Sequence, residues 1–173
     1  MRTTNRAFER AMVLAALSGL KIALGPAFLA TSRRWPSRQS WVTAAVGEMV
    51  LDKLGVFPSR FRLPLLIPHT LAGAWVAHES MREDGENDPW ATVAGGMVAA
   101  SVSIAAPMVR IATTKVLGIP DALLGLGEDY LALQCGTEVM DMSMDEVTCA
   151  ARQMFDDVRE RARPALKSMG IGS

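Results

Sequence analysis

Apolar residues gather in this chain into five runs divided by short charged stretches, and a sixth stretch spaces them as one face of a helix. The fourth run, Pro89 to Val109, holds 21 residues without a charge, between Asp88 and Arg110. As a helix rising about 1.5 Å per residue it would reach roughly 30 Å, the thickness of bilayer hydrocarbon. The first run, about 11–31, is as long and is interrupted only by Lys21. The second (about 40–56), third (about 63–80, with Pro64 and Pro68 near its start) and fifth (about 120–135, opening on Pro120 and Asp121) are shorter. One helix per run predicts an all-α fold, a polytopic membrane bundle of about five segments.

From Ser143 the pattern changes. Ser143 and Glu146 have the spacing of a capping box, and Met144, Val147, Ala151, Met154, Val158 and Ala162 recur at helical spacing. Asp145 and Glu146 stand at the start and Arg159, Arg161 and Arg163 near the end, as the helix dipole favours, with Pro164 expected to interrupt. This predicts an amphipathic helix outside the bilayer and divides the chain into residues 1–137, the membrane part, and 138–173. Such a helix suits packing under the bundle or a protein partner better than a strongly lipid-seeking role.

Within the fourth run Gly95, Ala99 and Ser103 recur every four residues, as do Gly96 and Ala100, a face narrow enough for another helix backbone. That places the helix inside the bundle and not on its rim. Trp35, Trp41, Trp75 and Trp90 fall near run ends, where an amphipathic ring suits the headgroup boundary. Arg2, Arg6 and Arg10 ahead of an apolar core resemble a signal peptide, but the run is longer than an h-region and reads as a retained first helix.

Composition narrows the function. Half of the residues are hydrophobic, and 18 acids balance 18 bases. No segment offers the basic face that nucleic acid requires. Cys135 and Cys149 suggest no disulfide framework, and neither metal-type spacing, a nucleophile–base set nor a phosphate loop is present. The chain reads as no enzyme, and the sequence leaves any cofactor or metal open. Its expected partner is the lipid bilayer, with a protein partner or a second copy left open.

The first and fourth runs share a pattern, SGLKIALGPAFLA beside AASVSIAAPMVR, with Pro26 and Pro107 in register. Gly47-Glu48 in the second likewise matches Gly127-Glu128 in the fifth. The two offsets, 81 and 80, nearly agree. This predicts an internal repeat with halves at about 10–56 and 90–135, inverted if three crossings separate the copies, an architecture common in transporters. Glu48 and Glu128 then fall near the middle of the membrane and approach each other. Asp52, one turn after Glu48, shares its face, while Lys53 points elsewhere. Glu48, Asp52, Glu128 and Asp129 are the candidates for a cation or proton site, with Lys21 and Lys53 as charge partners. The alternative is a set of buried ion pairs that fixes helix register. His69, beside Pro68, is a candidate proton carrier or a hydrogen-bonded packing residue.

The stretches SGLKIALGPAFLA, GEMVLDKLGVFPSRFRLP, HTLAGAWVA and LGEDYLAL resemble a bacterial membrane protein family, domain of unknown function 4126. The likeness spans about residues 10–135. This chain departs from the family in carrying Lys21 and His69 where members tend to have arginine. The resemblance implies a bacterial inner-membrane protein with a repeat, and no reaction. With five crossings the N-terminal side would carry Arg2, Arg6, Arg10, Arg60, Arg62, Arg110 and Lys115 and face the cytoplasm. The tail would then lie on the other side, and one re-entrant segment would reverse that.

Overall fold

The computed structural model describes residues 2–53 and 63–168, with residues 2–4, 63–65, 158 and 161–168 described by backbone alone. They form α1 (Arg2–Leu20), α2 (Leu24–Ser32), α3 (Arg38–Lys53), α4 (Leu63–Glu83), α5 (Pro89–Leu117), α6 (Asp121–Val139) and α7 (Met144–Ser168), with no strand among the described residues. The fold is all-α. Among the described residues α5 is the one helix long and apolar enough to cross a membrane. Residues 54–56, Arg60 and Arg62 lie outside the described residues.

The first apolar run is a hairpin and not the single helix expected. α1 stops at Leu20, the Leu24 amide turns back to the Lys21 carbonyl at 3.0 Å, and α2 returns along α1. Gly25 permits this return, since a Cβ there would strike the Leu14 carbonyl and the Ser18 hydroxyl. Pro26 falls in the first turn of α2, where its missing N–H is harmless, whereas inside a continuous helix it would break one.

Ion pairs mark two levels of the bundle. At what we call the upper end, Arg10 of α1 and Arg33 just past α2 both bind Asp84, which follows α4. Arg10 Nε also donates to the Val139 carbonyl at the close of α6, at 3.3 Å. Lower down, level with the middle of α5 and of α6, Lys21 on the hairpin tip meets Asp52 of α3 and Asp129 of α6. So α3 and α5 descend while α4 and α6 ascend. Leu14, Leu17, Phe28, Leu29, Val76 and Ala132 form a buried apolar layer between the two sets of charges.

α5 packs against α1 and α4 through its small face. Ala91, Gly95, Ala99 and Ser103 are buried. A Cβ on Gly19 would lie 2.6 Å from the Ala99 carbonyl, and one on Gly73 2.8 Å from that of Gly95. The other faces of α5 carry exposed Val93, Met97, Ile104 and Met108. This corrects the placement of α5 inside the bundle: one stripe is buried and the rest forms the rim. α5 also continues past Arg110 to Leu117.

α7 forms the capping box, with the Ser143 amide donating to Glu146 Oε2 at 2.7 Å and the Glu146 amide to Ser143 Oγ at 3.2 Å. It packs on α3 and α6, buries Met154, and runs through Pro164 to Ser168. Because the hairpin adds one reversal, α1 begins and α7 begins at the same end of the bundle.

Candidate functional site at the hairpin tip

The tip leaves backbone groups without helical partners, and side chains of other helices take them. In an unbroken helix the Ile22 amide would donate to the Ser18 carbonyl. Here the Ile22 and Ala23 amides donate to Glu48 Oε1 and Oε2, at 2.9 and 3.1 Å. Ala23, the N-cap residue of α2, supplies no side-chain cap of its own. The Glu48 carboxylate therefore caps α2 from α3, at the positive end of its dipole. The vacated Ser18 carbonyl accepts from His69 Nδ1 of α4 at 2.8 Å.

Lys21, between these anchors, is 1% exposed. A desolvated ammonium costs several kcal/mol unless anions surround it. Its Nζ lies 2.7 Å from Asp52 Oδ2 and 3.6 Å from Asp129 Oδ1. Lys53 Nζ lies 2.7 Å from Asp129 Oδ2 and 3.7 Å from Asp52 Oδ2. The four side chains close a ring of alternating sign, Lys21–Asp52–Lys53–Asp129.

Arg110 of α5 extends the ring outward. Its Nη1 lies 3.6 Å from Asp52 Oδ2 and 3.7 Å from Glu128 Oε2, and its Nε 2.9 Å from Asp121 Oδ1. Gly125 makes room for the two cationic heads, since a Cβ there would stand 2.6 Å from Arg110 Nη2 and 2.8 Å from Lys53 Nζ. Among the described residues, Lys21, Lys53 and Arg110 contact four carboxylates, those of Asp52, Asp129, Glu128 and Asp121. Side-chain exposure rises along the series, from 1% at Lys21 through 11% at Asp52 and 14% at Arg110 to 67% at Asp121.

Of the expected residues, Asp52, Asp129, Lys21 and Lys53 meet in the ring. Lys53 turns to the Asp52 side and not away from it, because Asp129 arrives there from α6. Glu48 and Glu128 serve different partners, the first a helix end and the second Arg110. His69 binds backbone. Arg110 looked like the flank of an apolar run; its signal was a pair of acids, Glu128 and Asp129, with no base nearby in sequence. Among the described residues no three of His, Cys, Asp or Glu are arranged to hold a metal ion. No family profile, curated protein or solved structure matches the chain.

Proposed function

We propose that the chain is a small integral membrane protein of transporter or channel-like type, whose buried charges carry a proton or cation part of the way across. The observation that carries this reading is the graded series from Lys21 to Asp121. Lys21 lies level with the middle of the uncharged stretch of α5, because Gly19 packs against Ala99 and Val102. A charge at that depth is retained in membranes chiefly for ion pathways and proton relays. The exposed apolar side chains of α5, together with Ile67 and Leu71 of α4 and Leu126 and Leu131 of α6, supply a surface suited to lipid.

On this reading α1 and α2 form a re-entrant hairpin that enters and leaves on one side, and α3 to α6 cross. Opposed directions for α3 and α6, and for α2 and the second half of α5, suit an inverted repeat whose first element is a hairpin in one copy and straight in the other. The upper layer of Arg10, Asp84 and Arg33, with apolar residues beneath, closes the path on that side, so the ring communicates with the Asp121 side.

A second reading is a non-transporting membrane subunit, favoured by the neutral alternating ring, which a register lock between helices would also build. Reconstitution into vesicles separates them. Proton or monovalent cation flux that Asp129→Asn abolishes in a folded protein supports the first; its absence in the parent chain, with a stoichiometric protein co-purifying, supports the second.

A further inference from the structure

Two joined hollows lie among α2, α3, α6 and α7, a slot that starts beside the hairpin tip at Leu24 and Met49 and a vestibule at the upper end of the bundle. A narrow slot of about 60 Å³ opens between α2, α3, α6 and α7, walled by apolar side chains that include Leu24, Phe28, Met49, Leu133 and Ala151. It meets a polar vestibule of about 460 Å³, with which it shares Thr31, Val42, Met142 and Ala150. The vestibule carries two charges of each sign, on Arg34, Arg38, Asp141 and Glu146. Glu146 is held to the start of α7 by the Ser143 amide, and Asp141 Oδ2 lies 4.0 Å from Arg10 Nη2 while its side chain stays 90% exposed, which leaves Arg34, Arg38 and the outer side of Asp141 to face a ligand.

Arg34 and Asp141 share an unusual backbone. Among the described residues they alone, apart from glycine, have positive φ, at 54° and 52°. Each follows a helix end in the position where glycine is usual, with the Trp35 amide donating to the Ala30 carbonyl and the Met142 amide to the Thr137 carbonyl, both at 2.8 Å. Arginine is disfavoured in that conformation, and a disfavoured residue at the mouth of a hollow points to a use for its side chain. Trp35 follows Arg34 directly in the chain, and Trp75 stacks on Trp41 at 5.4 Å and meets Trp35 edge-on at 6.1 Å, the amphipathic rings that settle at headgroup level.

We infer that slot and vestibule bind one phospholipid with an amine-bearing headgroup: an acyl chain in the slot, the phosphate at Arg34 and Arg38, and the ammonium at Asp141. The inference rests on the membrane reading above, which supplies the lipid. The slot's apolar walls suit part of one acyl chain. Balanced charge favours a zwitterion, since a purely anionic headgroup would set its phosphate against Asp141. A primary ammonium can donate to that carboxylate, and a quaternary one cannot.

The test uses the full chain in mild detergent, offered phosphatidylethanolamine, phosphatidylglycerol or phosphatidylcholine. Native mass spectrometry reads retained lipid. In a Cys135→Ser background, alkylation of Cys149, which is exposed and lines the vestibule, reads occupancy. The ethanolamine lipid should be retained and should slow alkylation. Asp141→Asn should weaken it about tenfold, the scale of one lost charge-assisted hydrogen bond, and Arg34→Gln with Arg38→Gln should weaken it further. Ala151→Leu should block the slot. Equal retention of all three lipids, binding of none, or full protection in a folded Ala151→Leu protein overturns the inference. Should Ala151→Leu not fold, the exposed arginine and aspartate variants decide alone. A protein that needs detergent yet binds no lipid here sinks this site and leaves the membrane reading standing; a monodisperse detergent-free monomer sinks that reading itself.

Discussion

Glu48 holds the Ile22 amide at 2.9 Å, the N–H that a continuous helix would direct at the Ser18 carbonyl. With His69 on that carbonyl, side chains from α3 and α4 keep the two limbs of the hairpin apart. The reversal is thus held by tertiary contacts. Glu48→Leu removes both acceptors and should destabilise the protein by about 2–3 kcal/mol, the range for hydrogen bonds to a charged group. Glu48→Gln keeps one acceptor and should lose roughly half as much. Denaturant midpoints in detergent measure both, and unchanged midpoints would refute the capping role.

Lys21→Met leaves Asp52 and Asp129 facing each other with one ammonium fewer. Removing one partner of a buried ion pair costs about 3–5 kcal/mol. Adding Asp52→Asn should recover part of that loss, because the orphaned charge goes too. A double-mutant cycle reads the coupling, and additive losses would mean that Lys21 and Asp52 do not act together.

Gly125→Ala places a methyl 2.6 Å from Arg110 Nη2 and 2.8 Å from Lys53 Nζ. Both heads end flexible chains and can shift, so the stability loss should fall near the low end of the roughly 1–3 kcal/mol typical of overpacking. Any flux through the ring should change far more than the melting midpoint. Parallel flux and melting measurements check this, and flux that tracks stability alone would remove the ring from the path.

Met97 lies on the outward face of α5. Met97→Arg should oppose insertion by about 2.5–3.5 kcal/mol, the cost of arginine at a helix centre in the membrane. The fraction of protein resisting alkaline extraction should fall accordingly. No change would place that face in water.

On the proposed membrane reading, reporters fused before α1 and after α7 should report the same compartment, because the hairpin would enter and leave on one side and α3 to α6 would cross four times. Arg6, Arg10, Arg33, Arg34 and Arg38 gather at that end, which predicts the cytoplasm. Opposite readings from the two fusions would exclude the hairpin topology.

Much of the helix map could be read from residue pattern. The start of α3, the end of α4 and both ends of α6 fall within a few residues of the apolar runs, α5 runs eight residues past Val109, and the small stripe Gly95, Ala99, Ser103 is the face that α5 buries. The capping box at Ser143 and Glu146 forms as its spacing implies. The hairpin was not legible because apolar residues flank Lys21 on both sides, so hydropathy reads straight through it. Its local trace was Gly25-Pro26, the opening of a second helix. Pairing Pro26 with Pro107 hid that trace, since Pro107 sits inside continuous α5. Charge partners were half legible: acids and lysines could be named, but Arg110 joins them only through the crossing of α5 and α6.

The Lys21–Asp129 contact has a consequence for how the chain is made. Asp129 is synthesised 108 positions after the lysine it neutralises. Asp52 leaves the ribosome early, so the hairpin first exists with an incomplete counter-charge and must wait, loosely seated, until α6 arrives. Chains arrested before residue 129 should expose Lys21 to amine-reactive reagents, and release of α6 should seal it. Final assembly is thereby a late event, governed by α6 and not by α1.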